Sequence, residues 1–175
     1  GTQRLSHTLS KLAEASRLEQ IIKDTPKMPL NLCDLLHDLI GAYRLNWPNH
    51  KFELEQPKKS VVIQGDKALF AQMLDKVISN AVDFDNKQGP IRVILEQAGT
   101  ALQLSVRNYG LTLERSDRKK MFYMMHSSRK SQQNLGLGLA VAKLIANFHG
   151  AQISATNVYN KGGVSINILW KNGVD

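Results

Sequence analysis

The chain has 175 residues, 42% apolar and 22% charged, enough to bury one globular core. Its single cysteine, Cys33, excludes an internal disulfide framework and a zinc site built on thiolates, and no apolar run reaches the ~18–20 residues of a membrane span. Lys and Arg number 23 against 15 Asp and Glu, a net charge of +8 that points to an anionic partner: nucleic acid, a membrane surface or a small polyphosphate.

Leu5, Leu9, Leu12, Ala15, Leu18 and Ile22 recur at helical spacing, so residues 3–24 form a helix whose apolar stripe has no other half within its own segment. Pro26 and Pro29 stop it and make residues 25–29 a hinge, with a domain boundary between 27 and 28. Asn31 caps a second helix carrying Leu32, Leu35, Leu36, Leu39, Ile40 and Tyr43. Residues 52–54 and 61–63 are short strands joined by 56–59. Gly65-Asp66 introduces a long helix to Phe84, apolar at Leu69, Met73, Val77 and Ala81. Ile91, Val93 and Leu95, then Leu102, Leu104 and Val106, alternate on either side of a turn at 98–100, a β-hairpin. Residues 110–134 are polar and basic without a period, as in a mobile loop. A last helix over 135–148 ends at Gly150, and strands 152–156 and 164–170 flank Lys161-Gly162-Gly163. The fold expected is α+β: a two-layer sandwich with helices on one face of a mixed, mostly antiparallel sheet, preceded by an N-terminal helix.

Three features carry chemistry. Asn80 shares a helix face with Val77 and Phe84, so its amide must find a partner; it is either a core amide bonded to backbone or an oxygen ligand for Mg²⁺, which takes few protein ligands and shares the rest with phosphates. Gly136-Leu137-Gly138 opens a helix, which serves close packing or brings free N–H groups up to a phosphate. Arg107-Asn108-Tyr109-Gly110 runs a strand into a glycine turn, where Asn108 is most simply a turn residue.

The order of these features resembles the N, G1, F and G2 boxes of the ATP-binding domain of two-component sensor histidine kinases. Leu74-Asp75-Lys76-Val77-Ile78-Ser79-Asn80-Ala81, Lys120-Met121-Phe122, Gly136-Leu137-Gly138-Leu139-Ala140-Val141-Ala142-Lys143 and His149-Gly150 carry the likeness. Upstream, residues 12–19 look like the end of the second helix of that family's dimerisation and phosphotransfer hairpin, so the resemblance implies that residues 1–27 end that hairpin and 28–175 are the catalytic domain. It implies ATP and Mg²⁺ as ligands, with Asn80 holding the metal, Phe84 against the nucleoside, Asn108 accepting from the adenine amino group, Gly110 opening the turn, and Gly136, Leu137 and Gly138 along the phosphates. Phe122 would anchor a lid over residues 110–134. Implied partners are a response-regulator receiver domain and, through the helical hairpin, a second copy of the parent protein, which the family usually anchors in the bacterial inner membrane with this part in the cytoplasm.

The chain also departs from the family's pattern. Asn108 replaces an Asp, Thr112 the second glycine of the first glycine box, and Asn134-Leu135 a Gly-Thr. Lys76 stands where related ATPases place a water-activating Glu, which favours phosphotransfer over hydrolysis, while Asp83 replaces a phosphate-binding cation. Positions 76, 80 and 83 share a helix face, so Lys76 takes over the phosphate contact, unless both are ordinary solvated charges. Segment 110–135 holds six cations against two acids, half the net charge, which favours a small polyphosphate over a nucleic acid and singles out Arg129 and Lys130 as phosphate contacts. A degenerate module that binds partners and no ATP is the alternative.

No histidine has the setting of a phospho-acceptor. His37-Asp38 lacks the following proline and lies after the hinge, and the acceptor is expected upstream of Gly1. Incubated alone with radiolabelled ATP, the chain should stay unlabelled; strong label on it would overturn this placement.

Overall fold

The computed structural model describes residues 2–123, 137–160 and 162–172. Helix α1 (Thr2–Asp24) buries only Ala15 and Leu18 and leaves Leu5, Leu9 and Ile21 exposed. It packs against α5 (Leu137–Phe148). No helix among the described residues is long and apolar enough to cross a membrane.

Of the expected hinge, residues 25–27 are irregular and Met28 and Pro29 begin a strand. Residues of β1 (Met28–Asn31) pair antiparallel with β3 (Val62–Gly65), with Leu30 opposite Ile63. Pro29 is tolerated because a two-stranded ribbon leaves half of each strand's N–H groups unpaired. Asn31 then caps α2 (Leu32–Asn46), its side chain accepting from the Asp34 N–H at 3.2 Å. Asp66 caps α3 (Lys67–Phe84) in the same way, accepting from the Leu69 N–H at 2.9 Å.

The two strands that sequence placed side by side around 56–59 go to different sheets. β3 stays with β1, whereas β2 (Phe52–Glu55) enters a five-stranded sheet of order β2-β4-β5-β7-β6. β2 runs parallel to β4 (Ile91–Ala98); β5 (Ala101–Tyr109), β7 (Gly163–Trp170) and β6 (Gln152–Asn157) follow antiparallel. The sheet is therefore mixed and mostly antiparallel, as expected. Val93, Leu95, Leu104, Val106, Ile166 and Ile168 point to the helix layer and pack with Phe70, Met73, Leu74, Val77 and Ile145, all at most 3% exposed. The opposite face carries a polar network: Ser105 and Ser165 hydroxyls donate to Asn167 Oδ1 at 3.0 and 2.8 Å, and Asn167 Nδ2 donates to Thr156 Oγ1 at 3.0 Å.

Residues 115–120 of the expected loop form a short helix, α4 (Arg115–Lys120), too short to show a period in the sequence. It packs on β6, where the Asn157 side chain binds both the N–H and the carbonyl of Leu113, at 3.0 and 2.9 Å.

His149 ties the helix layer to the sheet. Its ring accepts from the Asp66 N–H at 3.1 Å, its Nδ1–H donates to the Ile145 carbonyl at 2.9 Å, and its own carbonyl accepts from Trp170 Nε1 at 2.8 Å. Burial holds the imidazole below the usual histidine range, against the smaller opposing pull of these hydrogen bonds and of Asp66. The folded state thus keeps it neutral where the unfolded chain takes up a proton, so stability present above about pH 6.5 is lost as pH falls below it. Urea midpoints should drop between about pH 7.5 and about pH 5.5 in the parent. That slope should flatten in His149→Gln, at lower absolute stability.

Candidate functional site

The buried stripe of α3 is Leu69, Phe70, Met73, Leu74, Val77, Ile78 and Ala81. Beside it, at spacings of four and three residues, run Lys76, Asn80 and Asp83. Sequence placed Asn80 on the apolar face with Val77 and Phe84, as a core amide or a metal ligand; it lies at the border of the stripe, half-buried, with no side-chain hydrogen bond among the described residues. Asp83 is exposed on the next turn, and partial desolvation raises its carboxyl above the usual range.

Glycines bring two other elements against this helix. A Cβ on Gly138, in the first turn of α5, would stand 3.8 Å from Lys76 Cδ, so the lysine stem lies along the glycine-opened helix start. At the far end of α3, a Cβ on Gly110 would stand 2.5 Å from the Phe84 carbonyl oxygen, which excludes any side chain at 110. Asn108, 4% exposed, follows Leu104 and Val106 on the helix-facing side of β5. Its Nδ2 donates to the Tyr109 carbonyl at 3.1 Å, which leaves Oδ1 as the acceptor. Phe122 is 6% exposed and belongs to the core cluster, pinning the chain after α4. Leu137 begins α5, and only its backbone is described; Arg129, Lys130 and Gly136 lie outside the described residues. His37 is exposed on α2.

Sequence reading missed what supports the turn at 110. The Gly110 N–H donates to the Gly162 carbonyl at 3.4 Å, and a Cβ on Gly162, whose φ is 98°, would stand 2.6 Å from the Gly110 carbonyl oxygen. Tyr109 stacks on Tyr159 with ring centroids 4.2 Å apart. The signal was the Gly162-Gly163 pair, read only as a turn. Also missed was the bond from the Tyr43 hydroxyl to Asp75, next to Lys76, which fastens α2 to α3; burial and that carboxylate hold the phenol protonated far above its usual range.

Among the described residues no group of three or more His, Cys, Asp or Glu is placed to hold a metal. A lone amide oxygen at Asn80 beside the Lys76 cation fits instead a hard cation that takes most of its ligands from phosphates and water. Fold and cleft together are those of an α+β sandwich organised around a glycine-opened helix start. The chain belongs to the histidine kinase-, DNA gyrase B- and HSP90-like ATPase family, whose sequence profile matches residues 65–172.

Its relatives include the sensor protein ChvG of Agrobacterium fabrum, 27% identical over 175 aligned positions that span 93% of this chain and 29% of ChvG. The sensor histidine kinase YvrG of Bacillus subtilis is 28% identical over 176 positions, 95% of this chain and 30% of YvrG. The chain thus spans about 30% of the length of these relatives. Among solved structures, histidine kinase ThkA in complex with response regulator protein TrrA matches with a TM-score of 0.72 at 18% identity, covering 95% of this chain and 49% of that one.

Gly110→Ala should force the Phe84 carbonyl and the Asn108 turn apart, costing roughly 1–3 kcal/mol by the usual scale of overpacking. Urea denaturation measures this; a variant as stable as the parent would show that the turn relaxes freely.

Proposed function

We propose that the chain is the ATP-binding catalytic domain of a sensor histidine kinase, with residues 28–175 binding Mg²⁺-ATP and residues 1–27 ending the dimerisation and phosphotransfer hairpin. The observation that carries the reading is that one face of α3 meets Gly138 through Lys76 and Gly110 through Phe84, so that a single helix spans from a phosphate-type helix start to a buried amide. Asn80, midway along that face, is the metal ligand. Lys76 neutralises phosphate charge, Asn108 Oδ1 accepts from the adenine amino group, and Phe84 packs on the nucleoside. Gly110 keeps the turn open, Gly138 and Leu137 start the helix that faces the phosphates, and Gly136, Arg129 and Lys130, which lie outside the described residues, are assigned to the phosphates from the sequence alone. The bound metal's chemistry would be charge neutralisation along the phosphates.

With no acid at position 76, the chain has no general base there for water, which supports transfer of the γ-phosphate to a histidine over hydrolysis. Relay from that histidine to a receiver domain is supported by the pairing of ThkA with TrrA. The exposed Leu5, Leu9 and Ile21 of α1 support a parent that dimerises through this helix, and the names of the relatives support a sensor.

Mg²⁺-ATP at a hundred times its Kd should add about 2.7 kcal/mol to the unfolding free energy. Lys76→Ala and Asn80→Ala should each weaken binding, Lys76→Ala by about tenfold to a hundredfold if the lost contact is a charged hydrogen bond of ~1.5–3 kcal/mol. Unchanged affinity in Lys76→Ala would remove that residue from the site, and no shift in the parent would favour a partner-binding module that has given up ATP.

A further inference from the structure

The two edges of the five-stranded sheet are treated differently. β2 ends the sheet on one side with Glu53 and Glu55, both exposed, and charges of this kind discourage a further strand. β6 ends it on the other, and its sequence, Gln-Ile-Ser-Ala-Thr-Asn, carries neither a charge nor a proline. Its register with β7 is unbroken from Gln152 to Asn157, so no bulge blunts it. Among the described residues no strand pairs with its outer edge.

Cations stand beside this edge instead of on it. Arg115, Arg118 and Lys119 of α4 and Lys143 of α5 line a groove of about 460 Å³ whose floor is formed by residues 153–156 of β6. Among the described residues no acid lines it. Lys143 Nζ stands 5.3 Å over the ring of Tyr123, which is itself 56% exposed. Cations that merely guarded the edge would project from β6 itself; here they flank the space that a sixth strand would occupy.

We propose that this groove docks an extended acidic segment of a partner protein, added as a sixth strand on β6. Backbone N–H and C=O groups of β6 supply the pairing, and the four cations, on the helix side of the sheet with Ile153 and Ala155, take carboxylates, while the alternate side chains lie beside exposed Ser154 and Thr156 on the other face. Because alternate residues of a strand point to one face, the segment carries its acids at every second position. A nucleic acid satisfies the cations but makes no use of a bare strand edge, so the edge selects a polypeptide. The surface is separate from the face of α3 assigned to the nucleotide.

The test uses the whole chain and a fluorescein-labelled probe peptide, Thr-Glu-Val-Glu-Val-Glu-Thr, read by anisotropy at low salt, with hydrogen exchange at Ser154, Ala155 and Thr156. Binding is expected, with slowed exchange at β6, and Lys119→Glu or Arg115→Glu should weaken it at least about tenfold. Both side chains are exposed, so the folded state survives the change. The same peptide methylated on alternate backbone nitrogens should also bind at least about tenfold more weakly, because a strand without N–H donors cannot complete the ladder. Failure of the parent to bind the probe overturns the proposal, as does equal binding of the methylated peptide. A single-stranded oligonucleotide that competes at the groove with equal affinity, or slowed β6 exchange in a self-associating chain without peptide, would each overturn it in favour of another occupant.

Discussion

Helix α3 is held where its neighbours have no Cβ, and the rest of the domain is arranged around that closeness. At its start, a Cβ on Gly65 would stand 2.3 Å from the His149 ring. Along its length Lys76 lies on Gly138, and at its end the Phe84 carbonyl fills the space a side chain on Gly110 would need. Two segments far from α3 in sequence, at 110 and 138, are thereby brought to this helix, and His149 to its start. Only at Gly110 does another segment's backbone occupy the space of a Cβ against α3, so that contact fixes the turn at the end of the helix more strictly than side-chain packing does.

Charge is distributed in keeping with this geometry. The face of α3 toward the cleft is not uniformly basic: Lys76, Asn80 and Asp83 alternate cation, amide and acid over two turns. An amide between two opposite charges suits a metal that brings its own anion better than it suits a bare phosphate chain. Much of the described positive charge of segment 110–123 lies on α4, against β6 and α5. A net charge of +8 therefore does not describe one surface. It divides between the mixed polar face of α3 and the groove beside β6 that Arg115, Arg118, Lys119 and Lys143 line.

Much of the fold is legible in the residues alone. Asn31 and Asp66 announce their helices because a short polar side chain followed by an apolar period is a local signal. The β4–β5 hairpin shows in its alternation, and Gly99, with φ of 61°, in its turn. What escapes such reading is short or non-local. Met28 and Pro29, read as the end of a hinge, begin β1, since its partner β3 lies some thirty residues away. Six residues of α4 are fewer than two turns and have no period to read. The likeness of the glycine boxes singles out Gly110 and Gly138, yet the support of Gly110 by Gly162 and the Tyr109–Tyr159 stack depends on a turn fifty residues on, whose Gly162-Gly163 pair marks a turn but not its partner.

Sequence alone sets the class of fold, the helices and their caps, the order of the glycine boxes and the polar stripe on α3, because each is written in residues within a turn or two of one another. The assembled fold decides which sheet each short strand joins, that Asn80 sits at the border of the core and not inside it, and that β6 ends the sheet uncharged beside four cations. Strand partners, burial at the rim of a stripe and the free edge of a sheet are properties of the packed layers, and no window of sequence contains both sides of such a contact.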